Sequence, residues 1–359
     1  MDKERIEMFI AKLPLTVVEA MAKIDGHASD AGLVFVVDEA DHLIGCITDG
    51  DIRRWILRGG ELNSSAVGVM HKNPIYLSID EKANSKALML EKNITAVPIL
   101  DGDNKVIDIV LSREVSKIKN KKKSLKGVPV VIMAGGKGTR LYPYTKILPK
   151  PLIPIGDTPI VERIIDCYVE YSIDEYYVTV NYKKGMLRSY FSDLAPTYNV
   201  KFVEEDKPLG TGGSIKLIED KFEKPLFVAN CDALIRADYA DIYDHHIKSG
   251  NDITMVSALK NITVPYGVVN SGENGELISM EEKPTLSYFI NTGMYIINPE
   301  TIDLIPDDTM FHMTHLVEKV MKNGGKVGTY PISEDSFLDM GEFEEMKRME
   351  QKLNIISEK

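Results

Sequence analysis

Directly after the apolar run Val130–Met133 stands Ala134-Gly135-Gly136-Lys137-Gly138-Thr139-Arg140-Leu141. Glycines let a backbone come close to a phosphate and turn its N–H groups toward it. Arg140 adds a planar cation with fixed donors. The chemistry such a loop offers is the binding of a phosphorylated ligand. Two familiar loops do not fit it. A Walker A loop needs Ser or Thr after Gly-Lys, where Gly138 stands, and a dinucleotide fingerprint begun at Gly136 needs glycine where Leu141 stands. Other reactive side chains are scattered. Cys46, Cys167 and Cys231 have no metal-binding spacing, and Cys231 is expected to be a small buried residue. His245 and His246 lie on a polar helix with Asp241 one turn earlier and no third ligand, so both are expected to face solvent. His312 and His315 flank a helix start and are expected to be structural.

The charge says how a phosphate must be held. The chain has 43 Lys and Arg against 54 Asp and Glu, a net −11. Residues 1–126 are balanced at 19 of each, so the whole excess falls in the rest. That argues against non-specific nucleic-acid binding. A phosphate ligand must instead meet a few placed cations, backbone amides or a metal. Apolar residues make up 44%, enough for sizeable cores. No apolar run approaches the roughly 20 residues of a membrane span. The polar N-terminus predicts no signal peptide, and three dispersed cysteines fit a reducing compartment. A cytoplasmic protein is expected, with no membrane and no nucleic-acid partner.

The elements that position the loop follow from the pattern. Val130–Met133 suits a strand buried on both faces. A helix over 160–171, a strand over 175–180, a helix over 186–194, a strand over 200–204, a helix over 213–219 and a strand over 226–230 follow. This alternation predicts an α/β, Rossmann-like domain with a mostly parallel sheet, whose ligands bind at the carboxyl ends of the strands. Upstream, residues 34–52 and 97–115 repeat at an offset of 63: apolar strand, acidic turn, second strand, polar helix opening. Helical patterns at 17–21 and 84–92 precede them. Residues 119–127 are lysine-rich without apolar periodicity and are expected to be a solvated linker. The expected domains are 1–118, a repeat pair, and 128–359, a catalytic domain.

Residues 133–151, MAGGKGTRLYPYTKILPKP, resemble in register the signature of the sugar-1-phosphate nucleotidyltransferase (NDP-sugar pyrophosphorylase) family. Further segments resemble the family in order, over about 130–343. The resemblance implies nucleotide binding by Ala134, Gly135, Gly136, Gly138, Thr139, Gly210 and Thr211. It implies catalytic cations at Arg140, Lys150 and Lys283, and Mg²⁺ ligands at Asp232 and Asp339. It places Gly267, Glu282, Asn291 and Thr292 at the sugar. The implied reaction is attack of a sugar 1-phosphate on the α-phosphate of a nucleoside triphosphate, with pyrophosphate leaving. No general base is needed, because a phosphate monoester with a second pKa of about 6 is already mostly deprotonated at neutral pH. Related uridylyl- and thymidylyltransferases read the pyrimidine with a Gln four residues before the Leu-Gly pair. Glu205 stands there in this chain, and a carboxylate, which only accepts, matches the adjacent N1–H and 2-amino donors of guanine. GTP is therefore the expected donor; the competing reading has Glu205 facing solvent between Glu204 and Asp206.

The N-terminal repeats resemble the cystathionine-β-synthase-type (CBS) pair. In that family a Thr/Ser-x-x-Asp element grips adenosine ribose, which implies a regulatory adenine nucleotide at Thr48 and Asp51. The second repeat has Leu111 and Glu114 there; a purely structural or dimerising pair is the alternative. The combination is similar to CBS-containing glucosamine-1-phosphate guanylyltransferases of legionaminic-acid biosynthesis, and a homo-oligomer is expected. A mannose or glucose 1-phosphate substrate, or a catalytically inactive nucleotide-sugar sensor, are the alternatives.

Overall fold

A computed structural model of the chain describes residues 3–26, 31–92, 94–111 and 122–353. They form two compact units, the first made mainly of residues before 122 and the second mainly of those from Lys122 on.

In the first unit the offset of 63 becomes a structural repeat. Leu33–Val37 pairs antiparallel with Leu43–Thr48, and Ala96–Leu100 pairs antiparallel with Val106–Leu111. Each hairpin takes one parallel strand on its side, Ile10–Lys12 and Leu77–Ser78. Phe9, Leu33 and Phe35 meet Ala96, Ile109 and Leu111 in one core, so the two hairpins bury their apolar faces against each other. Helix Asp49–Leu57 begins with a capping box. Asp51 N donates to Thr48 Oγ1 (3.1 Å), while Asp51 Oδ2 accepts from Thr48 N (3.0 Å) and Oγ1 (2.6 Å). The other Asp51 oxygen pairs with Arg54. Leu111, in the position of Thr48, is buried; Glu114 lies outside the described residues.

The second unit carries a seven-stranded sheet: β1 (Val130–Met133), β2 (Glu175–Val180), β3 (Asn199–Glu204), β4 (Leu226–Asn230), β5 (Ile253–Thr263), β6 (Thr285–Ile297) and β7 (Val327–Ile332). Their order is β3-β2-β1-β4-β6-β5-β7. β6 runs antiparallel to both neighbours and the other pairs are parallel, as expected for a mostly parallel sheet. β1 sends Val130 and Ile132 into one core and Val131 and Met133 into another, which is why its sequence is apolar without alternation. Helices α1 (Ile160–Val169), α2 (Lys184–Leu194) and α3 (Tyr239–Ser249) cover the first face, and α4 (Met313–Lys322) covers the second.

Two expectations change. Residues 119–121 of the basic stretch are outside the described residues, and 122–127, exposed apart from Leu125, are fastened to the second unit. Lys122 Nζ donates to Tyr171 OH (3.1 Å), Lys123 pairs with Asp244, and buried Leu125 donates its N–H to Tyr171 O (2.7 Å). The helix expected over 213–219 is instead a single turn, Gly210–Gly213, followed by a 3₁₀ turn, Ser214–Leu217, and extended backbone at Ile218. Glycines favour helix poorly, and the Gly212 and Gly213 amides are drawn off by an outside carbonyl, Phe311 O, at 2.9 Å each.

β5 and β6 stay paired out to Thr263 and Thr285 and carry a small hairpin, Val268–Ser271 with Leu277–Glu281. Where β6 enters the sheet, Gly293 has φ +79°, and a Cβ there would run into the Asn230 side chain. Replacing Gly293 with Ala should cost roughly 1–3 kcal/mol for the left-handed backbone alone. Thermal melts of wild type and Gly293→Ala check this, and equal midpoints would show that the strand end relaxes without cost.

Candidate active site

A cleft of 440 Å³ opens where β1, β2 and β4 end, lined by the glycine loop, Thr179, Asn230 and Asp232. Strand ends of an open α/β sheet are where such clefts form. The loop leaves β1 with Ala134 N donating to Thr179 O (3.0 Å). Arg140 sits on the 3₁₀ turn Thr139–Leu141 that closes it, and Lys150 sits on a second 3₁₀ turn, Lys150–Leu152.

Glu205 follows the last residue of β3. Strand parity sends the two glutamates in opposite directions: Glu204 pairs with Lys184 and Arg188, while Glu205 is buried and accepts the Leu209 N–H (3.1 Å). Its Oε1 lies 2.6 Å from where a Cβ on Gly135 would stand. The solvent-facing alternative is thereby overturned, and the carboxylate sits between the Gly135 loop and the turn at 209–213. Burial raises its pKa, against the lowering effect of the Leu209 N–H.

Asp232 and Asp339 come from distant sequence to adjacent positions. The strand Phe337–Asp339 pairs with Ala233–Ile235 so that Asp339 faces Ala233, and Met340 N donates to Asp232 O (2.8 Å). Burial, then the charge of Asp232, raises the Asp339 pKa, while Lys150 and Arg140 pull it down. Lys150, itself buried, forms an ion pair with Asp232. The described residues contain no cluster of three or more His, Cys, Asp or Glu side chains able to hold a metal. Two carboxylates alone suit Mg²⁺, which takes one or two protein oxygens and fills its octahedron with substrate phosphates and water. Burial pushes the neighbouring Cys231 thiol up to about 12, as suits a small side chain packed in the core.

The cleft thus gathers Gly135, Gly136, Gly138, Thr139, Arg140, Lys150, Glu205, Gly210, Thr211 and Asp232. Asp339 lies at its edge, beside Gly341 and Arg140. The residues expected at the sugar do not line it. Gly267, Glu282 and Lys283 are exposed on the β5–β6 arm. Asn291 donates to Tyr295 OH (2.5 Å) and accepts from Gly293 N (2.9 Å). Thr292 is buried, with its hydroxyl donating to Val256 O (2.8 Å). Their segment reaches the cleft wall through Gly293 against Asn230. Asn230, Thr179, Met310 and His312 are lining residues that sequence reasoning did not assign. Asn230 is the last residue of β4, two before Asp232, and His312 is expected from sequence to be structural. His246 corrects a different expectation. It is buried, with Nδ1 2.8 Å from Thr254 Oγ1 and Nε2 3.0 Å from Asn298 Oδ1, and burial lowers its pKa.

Residues 129–354 match the family described as nucleotidyl transferase, and residues 9–58 and 66–121 match the CBS domain. The chain is 32% identical over 232 residues to a UTP–glucose-1-phosphate uridylyltransferase of Synechocystis sp., covering 59% of each chain. It is 35% identical over 184 residues to a mannose-1-phosphate guanyltransferase of Saccharomyces cerevisiae, covering 49% of this chain and 51% of that one. A solved Bacillus anthracis structure, described as a glucose-1-phosphate thymidylyltransferase, aligns with TM-score 0.51 at 21% identity, covering 65% of this chain and 97% of that one; this likeness is one of fold. The chain spans about half to three-fifths of the length of these curated relatives.

The environment of Glu205 has a measurable sign. Its pKa is raised in the fold, so its contribution to stability is present below the ordinary carboxylate range and lost as pH rises through the raised value. At neutral pH the wild type carries the cost of a buried charge that Glu205→Gln does not, while the amide oxygen can still accept from Leu209 N. The variant should melt at or above the wild-type temperature at pH 7, with the gap closing toward pH 4. A deficit of the same size at both pH values would show that burial is not what governs this carboxyl.

Proposed function

Since the chain belongs to the nucleotidyl transferase family, with a CBS pair ahead of its catalytic unit, we propose that it transfers a nucleotidyl group from a nucleoside triphosphate, by preference GTP, to a sugar 1-phosphate. The products are a nucleotide sugar and pyrophosphate. The observation that carries this reading is the convergence of two carboxylates and two cations on one glycine-lined cleft.

The loop 135–139 offers backbone amides to the departing phosphates, with the Arg140 guanidinium beside them. Lys150 stands where negative charge must be offset as a phosphate oxygen of the sugar attacks the α-phosphate. Such preplaced charge stabilises a transition state most effectively in a site that excludes water. Asp232 and Asp339 would hold Mg²⁺, which when bound neutralises phosphate charge and aligns the reactants. Glu205 supports GTP: a buried acceptor-only group meets two adjacent donors on guanine, whereas uracil and adenine bring an acceptor to the same place.

The sugar phosphate is proposed to be glucosamine 1-phosphate, for legionaminic-acid synthesis, on the resemblance of the two-domain combination. For the first unit, an adenine nucleotide would reach Asp51 by displacing Arg54.

Pyrophosphate release with GTP, UTP, ATP, CTP and dTTP against glucosamine, mannose and glucose 1-phosphates tests the reaction. Turnover highest with GTP is expected, and Glu205→Gln should erode that preference roughly tenfold or more, as one mispaired buried polar contact costs about 1–3 kcal/mol. A preference for UTP or dTTP, or unchanged selectivity in the variant, would remove Glu205 as the determinant. Release with no pair would leave the inactive-sensor reading.

Asp232→Asn and Asp339→Asn should each lower turnover at least roughly 10²-fold, the scale of one major charge stabiliser, while melting as folded protein. Near-normal rates in both would end the two-carboxylate arrangement.

A further inference from the structure

The glycine loop 209–213 is clasped from outside by the segment 309–313. Phe311 N donates to Leu209 O (2.8 Å), Gly212 N and Gly213 N donate to Phe311 O, and Met313 N donates to Thr211 Oγ1 (3.2 Å). A Cβ on Gly210 would stand 2.7 Å from Phe311 O and 3.1 Å from the His312 ring. Gly210 is therefore needed to admit a protein segment, whatever the loop does for a phosphate.

His312 is half-buried and lines the cleft. Its Nδ1 is 3.4 Å from both Thr211 N and Thr211 Oγ1. The backbone N–H can only donate, so Nδ1 is the acceptor and the proton of the neutral ring resides on Nε2. Among the described residues no group takes that Nε2–H. Glu205 accepts the Leu209 N–H and the His312 ring lies against Gly210. An acceptor and a donor thus flank one dipeptide in the same cleft. Guanine presents that complement: adjacent N1–H and 2-amino donors, followed on the same edge by the O6 acceptor.

We propose that His312 is a nucleotide-binding residue that donates its Nε2–H to an acceptor atom of the nucleoside, with Thr211 holding the ring in the tautomer that makes this possible. The inference rests on the nucleotidyl-transfer reading and adds to it a second specificity determinant opposite in character to Glu205. His315 has a separate structural task, because its Nδ1 accepts the His312 N–H (3.2 Å) and so closes the start of α4.

Two replacements separate binding from clasping. Asn at 312 can keep an acceptor near the Nδ1 position but has nothing at Nε2, whereas Gln can place an amide donor near Nε2 but leaves Nδ1 empty. Calorimetry with GTP and no sugar phosphate reads the difference. His312→Asn should weaken GTP binding about tenfold, the order of one lost hydrogen bond. His312→Gln should stay within about threefold, and both should melt near the wild type. The opposite order, with Asn like wild type and Gln weakened, would make His312 only a clasp on Thr211 and overturn the proposal. Equal losses, or no loss in either, would overturn it as well. Pyrophosphate release run in parallel keeps the two readings apart. A wild type that binds GTP with this variant pattern yet transfers to no sugar 1-phosphate removes the transferase reading and sustains the one for His312.

Discussion

The organisation of the second unit depends on an electrostatic balance at the carboxyl end of its sheet. Burial and the neighbouring charge of Asp232 disfavour ionisation of Asp339, and Lys150 and Arg140 oppose that. A buried ion pair is not in itself a strong source of stability, since desolvation offsets much of the attraction. Its value here is positional. The Lys150–Asp232 contact fixes the turn at 150–152 against the end of β4, and the pairing of Asp339 opposite Ala233 brings a late strand to the same place. Four charges that would be expensive separately are tolerable together beside a cleft of 440 Å³.

Much of this was legible in the sequence because local pattern and local structure coincide there. β1 is an unbroken apolar run since both its faces are buried, and the loop after it carries its own glycines and its own cation. The repeat at 63 was visible because each hairpin carries the same alternation of apolar strand and acidic turn. No local pattern joins Asp232 to Asp339; only the family resemblance set them side by side, and the strands Ala233–Ile235 and Phe337–Asp339 pair there.

What sequence reasoning missed is governed by partners distant along the chain. The helix expected over 213–219 yields to a carbonyl at 311, and His246, placed on a polar helix, is drawn into the core by Thr254 and Asn298. Glu205 and Glu204 look alike in sequence, and only the parity of β3 decides which turns inward. The basic stretch at 122–127 reads as a tether until Tyr171 is seen to hold it. The arm residues Gly267, Glu282 and Lys283 stand on a two-stranded ribbon outside the cleft, and how far such a ribbon projects is something no periodicity encodes.

Leu111 makes the two repeats of the first unit unequal. One repeat has Thr48 at the end of its second strand, where a hydroxyl starts the next helix. The other copy carries leucine there and buries it in the core that both copies share. A side chain committed to closing that interface has no hydroxyl to present. The two repeats are therefore not interchangeable, since only one of them has a hydroxyl to offer at this strand end.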